Sequence, residues 1–331
     1  MQPEVLHIEG ETLIGLRDPA KIHEGVMLLS PLAYRLTQLM DGLLERPQIV
    51  EQARAHWGIA LSVEQLGQLL DSLEEHYALD NARSRGYLEA LSVRPAAHAG
   101  GGYPAQPDKL HHFLDQLLQT GPTPELAPAR AYLIPHIDLS RGKESYAAAW
   151  NHLRPNLKDF DLFVVLGISH AYSQNPFILT RKDFETPLGR VETDATLVTQ
   201  LASNLNFDPF LDEFNHLGEH SIEFQLVFLQ HLCQHPFKVL PILCGSFQEC
   251  LEQPLEPESR PEVRHFFSSL ERLLAGRSKT CWIASVDLAH VGQRFGGPAL
   301  TTEALEQIQA LDVDTMSQAV RADAAGFLEA L

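Results

Sequence analysis

The sequence predicts an α/β protein, a mixed or parallel sheet flanked by helices, preceded by a small N-terminal winged-helix-like domain. Three observations carry this. Beyond residue 107, near-continuous apolar runs of strand length alternate with helical patterns, as in sheets buried on both faces. Short amphipathic helical patterns occupy residues 30–75, and a Pro/Gly/Ala-rich stretch separates the two regions. A length of 331 residues suits two domains, so the expected division is 1–92, a linker over 93–106, and 107–331.

The first helix starts at Ser30-Pro31, an N-cap followed by proline at the first helical position, with Leu32, Leu36, Leu39 and Leu43 at helical spacing and a stop near Asp41-Gly42. A second runs from Pro47 through Ile49, Val50 and Ala53 to Gly58. Ser62 and Gln65 make a capping box for a third, ahead of Leu66, Leu69, Leu70 and Leu73. The flanking "ETLIGLRD" and "YALDNARSRGYL" read as short strands closing one side of this bundle.

That shape usually binds DNA, but no helix here is rich in Lys or Arg, and the net charge is −18. Nucleic acid and anionic membrane surfaces would be repelled. No apolar run approaches the roughly 20 residues a spanning helix needs, and the N-terminus lacks a signal-peptide pattern, so a soluble cytoplasmic protein is expected. Cys233, Cys244, Cys250 and Cys281 are irregularly spaced without a CxxC, which fits reduced thiols.

In the second region "DKLHHFLDQLLQT" reads as a helix, 131–134 as a strand, "GKESYAAAWNHL" as a helix, and 162–167 and 176–180 as strands. "KVLPILCG" and "CWIASVD" are further strands, "EHSIEFQLVFLQHL" and "PEVRHFFSSLERLLAG" further helices, and the chain finishes in a helical pattern.

Three of these strands end in chemistry: "AYLIPHID" at His136, "DLFVVLGISH" at His170, and "CWIASVDLAH" at Asp287 and His290. In open α/β sheets ligands bind beyond the carboxyl ends of the strands, where loops converge. Imidazoles and a carboxylate converging there can hold a first-row transition metal with positions left open. At the start of the helix "EHSIEFQL", His220 and Glu223 are one turn apart and can reach one point, whereas Glu219 suits the helix dipole. His220, Glu223 and His290 are therefore the candidate catalytic residues. Asp138, Arg141 and Asp194 are candidates for orienting a ligating imidazole or pairing with an anionic substrate. No P-loop, GxGxxG or GxSxG motif occurs, and Ser169 beside His170 points to the opposite strand face, which removes most nucleotide, dinucleotide and serine-hydrolase readings.

"GGYPAQPDKL", "PHID", "LGISHA", "FETPLGRVETD", "GEHSIEFQL", "LPILCGS" and "SVDLAHVGQRFG" resemble, in order and spacing, the motifs of the Memo family, called AmmeMemoRadiSam system protein B in bacteria. The resemblance spans about residues 100–315. It implies a fold similar to class III extradiol dioxygenases, which hold non-haem iron on two histidines and a glutamate; eukaryotic Memo proteins use two histidines and a cysteine, with copper or iron. By motif the two histidines are His136 and His170. The cysteine position holds Ala289, which cannot bind metal, leaving Asp287 or His290 as the third ligand, and Gln225 stands where eukaryotic members place a histidine. Family members usually continue into a further segment with a Cys-Gly motif that this chain lacks.

"LMDGLLERPQIVEQ" and the helix order resemble PqqD-like modules, which present a peptide to radical SAM enzymes. The resemblances thus imply an iron- or copper-dependent redox or oxygenase-like protein acting on a small or peptide substrate. The alternative is a non-catalytic accessory protein that binds a peptide or a radical SAM partner. A metal-independent hydrolase built on His220 and Glu223 is the third possibility.

Overall fold

Residues 2–18, 22, 25–121, 127–248 and 257–330 are described by a computed structural model, and Cys250 lies outside the described residues. The chain forms two compact units, Met1–Ser92 and Val93–Leu331.

In the first unit, β1 (Gln2–Ile8), β2 (Glu11–Arg17) and β3 (Val26–Leu29) form an antiparallel sheet in that order. Glu9 and Gly10 join β1 to β2 with φ of 52° and 86°, as in the type I′ turn whose twist matches a hairpin. Helix α1 (Pro31–Thr37) opens on Ser30, which accepts from the Ala33 N–H, and ends short of the predicted Leu43. Helix α2 (Arg46–Trp57) stops at left-handed Gly58, and α3 (Val63–Glu75) opens on the Ser62/Gln65 box.

The segment expected as a strand over 77–88 instead enters helix α4 (Ala82–Ala90). Asn81 accepts from the Arg83 and Ser84 N–H groups while Ser84 Oγ accepts from the Asn81 N–H, which satisfies first-turn donors a strand would have left for a partner. The sheet therefore precedes the helices, and the closing strand after them does not form. Leu16, Met27, Leu29 and Leu73 make one core cluster, and Leu36, Ala53 and Ile59 another.

The second unit is a mixed, mostly parallel sheet. Its strands are β4 (Val93–Arg94), β5 (Ala131–Ile134), β6 (Leu162–Ile168), β7 (Phe177–Leu179), β8 (Asp183–Thr186), β9 (Gly189–Thr193), β10 (Lys238–Cys244) and β11 (Thr280–Ser285). They lie in the order β4-β8-β9-β10-β6-β11-β5, with β7 paired to β10. β9, β10, β6, β11 and β5 run parallel, while the β8-β9 and β7-β10 pairs are antiparallel. The expected linker over 93–106 is instead built into this unit: β4 pairs with β8, and Tyr103 is buried in the core.

Helices α5 (Pro107–Leu118), α6 (Lys143–Leu153) and α9 (His220–Leu232) supply one core cluster, and α7 (Ala195–Ser203) with the helix Pro261–Leu274 supplies the other. Strand periodicity divides them: Phe163 and Val165 of β6 join Trp150 and Phe228, whereas Leu162 and Val164 join Leu197 and Phe266. Each fully buried side chain of this size stabilises by roughly 1.5–3 kcal/mol. The chain's described part ends in two further helices, Thr302–Val320 and Ala324–Glu329. No helix among the described residues is long and apolar enough to cross a membrane.

Two features aim the sheet at one point. β5, β6 and β11 are parallel neighbours, so the loops bearing His136, His170 and Asp287 leave from the same edge. Helix α9 lies directly on β6 because Gly167 has no side chain; a Cβ there would sit 2.6 Å from Ser221 Oγ. Ser221 Oγ accepts from the Ile168 N–H at 3.0 Å and faces the Ile168 carbonyl at 3.1 Å, satisfying backbone at the strand's end.

Candidate metal centre

His136 follows β5 and is buried, with Nδ1 3.0 Å from the Ser285 carbonyl. A carbonyl only accepts, so Nδ1 carries the proton and Nε2 keeps its lone pair. The Asp287 Oδ1 accepts from the His136 and Ile137 N–H groups at 2.8 and 3.1 Å, clasping the ends of β5 and β11 together.

His170 follows β6, and its Nδ1 lies 3.0 and 3.1 Å from the two Glu219 oxygens. Glu219 is the N-cap of α9, preceded by the short α8 (Asn215–Gly218). It accepts from the N–H groups of His170, His220 and Ser221 at 3.1, 2.8 and 2.9 Å, and its Oε1 is 3.2 Å from His220 Nδ1. One carboxylate therefore holds two imidazoles by Nδ1, and neither Nε2 has a hydrogen-bond partner among the described residues.

Burial alone would raise the Glu219 carboxyl, but hydrogen bonds from His170 and His220 outweigh it and hold the group well below the usual carboxylate range. The same hydrogen bond raises His170 above its ordinary value against the effect of burial. His136 is lowered, first by burial and then by the neighbouring His220 and His170, with Asp287 opposing.

The three imidazoles converge: one ligand atom from each of His136, His170 and His220 lies within 4.8 Å of the others. Ring centroids are 5.2 Å apart for His136–His170, 5.3 Å for His136–His220 and 4.8 Å for His170–His220. They sit in a pocket of about 550 Å³ that Arg141, Arg294, Phe295 and Met316 also line. Three imidazole nitrogens, each ring fixed through its other nitrogen, fit a first-row transition metal.

Other candidates are placed differently. Asp287 Oδ2 is 3.7 Å from His136 Nε2 but stands outside the three-imidazole group. His290 lines the pocket with its side chain 52% exposed, Nδ1 2.9 Å from the Leu288 carbonyl and ring against Phe295, so its own loop holds it. Glu223 does not line the pocket: it is fully buried, bound to Arg94 and Tyr103 and to the His98 N–H at 3.0 Å. The His220/Glu223 pair of the hydrolase reading is therefore not assembled, because residue 223 turns into the core. Asp138 lines the pocket while capping the Ser140 and Arg141 N–H groups, and Asp194 caps α7. Gln225 donates to the Pro135 carbonyl and Ser285 Oγ at 2.9 and 2.8 Å, bracing the backbone on either side of His136. Ser169 Oγ donates to the Ala171 carbonyl at 2.9 Å.

Two residues escaped sequence reasoning. Glu219 directly precedes a histidine at a helix start, a signal that a dipole explanation absorbed. Arg94 sits in what reads as linker, with no local signal. It donates to the carbonyls of His216 and Glu219 at 2.8 and 2.6 Å and so pins both ends of α8.

His216 adds an acid sensitivity. Its Nε2 faces the Ile178 carbonyl at 3.2 Å, Nδ1 has no partner among the described residues, and burial pushes its pKa down to about 3. The unfolded chain binds this proton near pH 6.5 and the folded chain does not, so the stabilisation is present above pH 6.5 and is lost as pH falls towards 3, at about 1.4 kcal/mol per pH unit. Urea midpoints measured from pH 7 to 4 are expected to fall with about one proton's slope more in the parent than in His216→Gln; equal slopes would refute it.

Comparison with known proteins agrees with this architecture. Residues 94–331 match the family described as Memo-like protein. A MEMO1 family protein of Aquifex aeolicus is 29% identical over 290 residues, 86% of this chain and 73% of that protein. One from Thermus thermophilus is 28% identical over 272 residues (80% and 77%), and one from Methanosarcina mazei 26% over 226 (68% and 78%). With its extradiol-dioxygenase-like α/β fold and a match over most of its length, the chain belongs to the Memo family.

Proposed function

We propose that the pocket holds one iron or copper ion on His136, His170 and His220 and serves redox or oxygenase-like chemistry on a small anionic substrate. The observation that carries this is the convergence of three imidazoles whose Nδ1 atoms are already engaged, on Ser285 and Glu219. Bound iron or copper would supply redox chemistry and open coordination positions. The chain's own groups bind and orient. Arg141 and Arg294 line the pocket without an ion pair among the described residues, and guanidinium forks suit a carboxylate or phosphate. Leu133, Phe295 and Met316 give the ligand an apolar wall. Glu219 keeps the proton on His170 Nδ1. Ala289 lines the pocket where the family's cysteine would stand, and His220 takes the third position.

The test is metal content by plasma mass spectrometry after anaerobic, untagged purification. Near-stoichiometric iron or copper is expected in the parent, with loss in His136→Ala, His170→Ala and His220→Ala. A parent that arrives empty and takes up neither iron(II) nor copper(II) on titration would sink the proposal.

A second reading, an accessory protein that presents a peptide to a radical SAM partner, draws on the first unit. The outer edge of β1 has no strand partner among the described residues, and its Val5 is 61% exposed, a ready template for strand addition.

A further inference from the structure

The last turn of α9 carries a second imidazole arrangement, outside the pocket. His231 there and His111 on α5 place their Nδ1 atoms 2.8 Å apart, with ring centroids 5.1 Å apart and planes tilted by 41°. His231 Nε2 lies 3.0 Å from Asp115 Oδ1, one helical turn beyond His111 on α5. The Asp115 carboxylate accepts from the His231 Nε2–H, so His231 Nδ1 carries a lone pair and His111 Nδ1–H donates to it. An imidazole backed by a carboxylate, with its other nitrogen turned to a second imidazole, is how proteins orient histidines for metal.

We propose that His111 and His231 bind a divalent transition ion of the zinc or copper(II) class through their Nδ1 atoms, with Asp115 as positioning residue, and that the ion clips α5 to α9. The geometry is close to what this needs. Two nitrogens on tetrahedral zinc, each at about 2.0 Å, stand about 3.3 Å apart, so the pair has to open by roughly half an ångström. The chemistry is balanced without an external base. His111 is exposed, and its neutral ring only has to carry its proton on Nε2 instead of Nδ1.

His231 is ready to ligate as a neutral ring. Its side chain is 8% exposed, and burial, together with His111 and Arg154 nearby, holds it below its ordinary value against the pull of Asp115. Asp115 is engaged on the far nitrogen of His231, and no third histidine, cysteine or carboxylate completes a ligand set with the pair among the described residues, so water fills the remaining positions and the ion exchanges readily. The clip differs in this from the pocket centre, with its three imidazoles.

Zinc titration calorimetry on the untagged, metal-stripped chain tests the proposal. The parent is expected to bind one more equivalent than His111→Ala, and Asp115→Asn to keep that equivalent with affinity weakened about tenfold. His112→Ala, replacing the adjacent exposed histidine, is expected to match the parent. The readout is a difference of one equivalent between chains with the same pocket, so it holds whether or not the pocket takes metal. An unchanged count in His111→Ala overturns the proposal, as does an equal loss in His112→Ala, which would mark nonspecific surface binding.

Discussion

Replacing Arg94 by methionine is expected to destabilise the second unit by about 3–5 kcal/mol, read as a drop in urea midpoint, because it strands a buried carboxylate. Arg94 and Glu223 are both fully buried and paired. The guanidinium also donates to the carbonyls of Pro95, His216 and Glu219, while the carboxylate takes the Tyr103 hydroxyl and the His98 N–H. Without Arg94, Glu223 is left as an unpaired buried carboxylate, and three carbonyls, those of His216 and Glu219 buried, lose their donor.

The doubly apolar Arg94→Met/Glu223→Leu chain separates charge from packing. It is expected to cost less than the sum of the single changes, since no unpaired charge remains. A single-variant loss under about 1 kcal/mol would contradict the keystone role. The network also reaches the candidate centre, because the Glu219 carbonyl that Arg94 holds belongs to the residue that orients His170 and His220. Metal uptake is therefore expected to weaken in Arg94→Met even under conditions where the chain stays folded.

Strand positions were legible in the sequence wherever burial on both faces produced continuous apolar runs, as in β6, β10 and β11. Helix starts were legible where a cap is local chemistry, as at Ser30 and Ser62. Local chemistry also explains the failure at α4, where Asn81 and Ser84 close a capping box that strand-like composition hid. His136 and His170 could be placed because strand ends converge by topology. The third member could not, since His220, Asp287 and His290 all fall near the same edge and only rotamer and loop path distinguish them. Arg94 was invisible for a related reason: its partners Glu219 and Glu223 lie more than a hundred residues away, and no local pattern marks a long-range buried ion pair.

Glu219→Gln is expected to lower metal affinity in the pocket by about 10–100-fold, because an amide offers a donor where two imidazole N–H groups need acceptors. The pH dependence gives this a second signature. His170 is raised in the fold, so its contribution to stability is complete below about pH 6.5 and is lost as pH rises through the folded value. Glu219 is depressed, so its contribution is present above about pH 4.5 and is lost as pH falls through the folded value. Their mutual stabilisation is thus fullest between those limits. Metal uptake runs the other way, since His170 Nε2 must shed its proton, and uptake strengthens as pH rises through the raised value. Removing the Glu219 charge lowers the His170 value, moving the midpoint of uptake to lower pH while the plateau affinity drops. Loss of folding would lower the plateau without moving the midpoint in that direction. Zinc titrations from pH 5.5 to 8.5 on the parent and the variant decide it, and an unchanged plateau would show that Glu219 does not orient the ligating imidazoles.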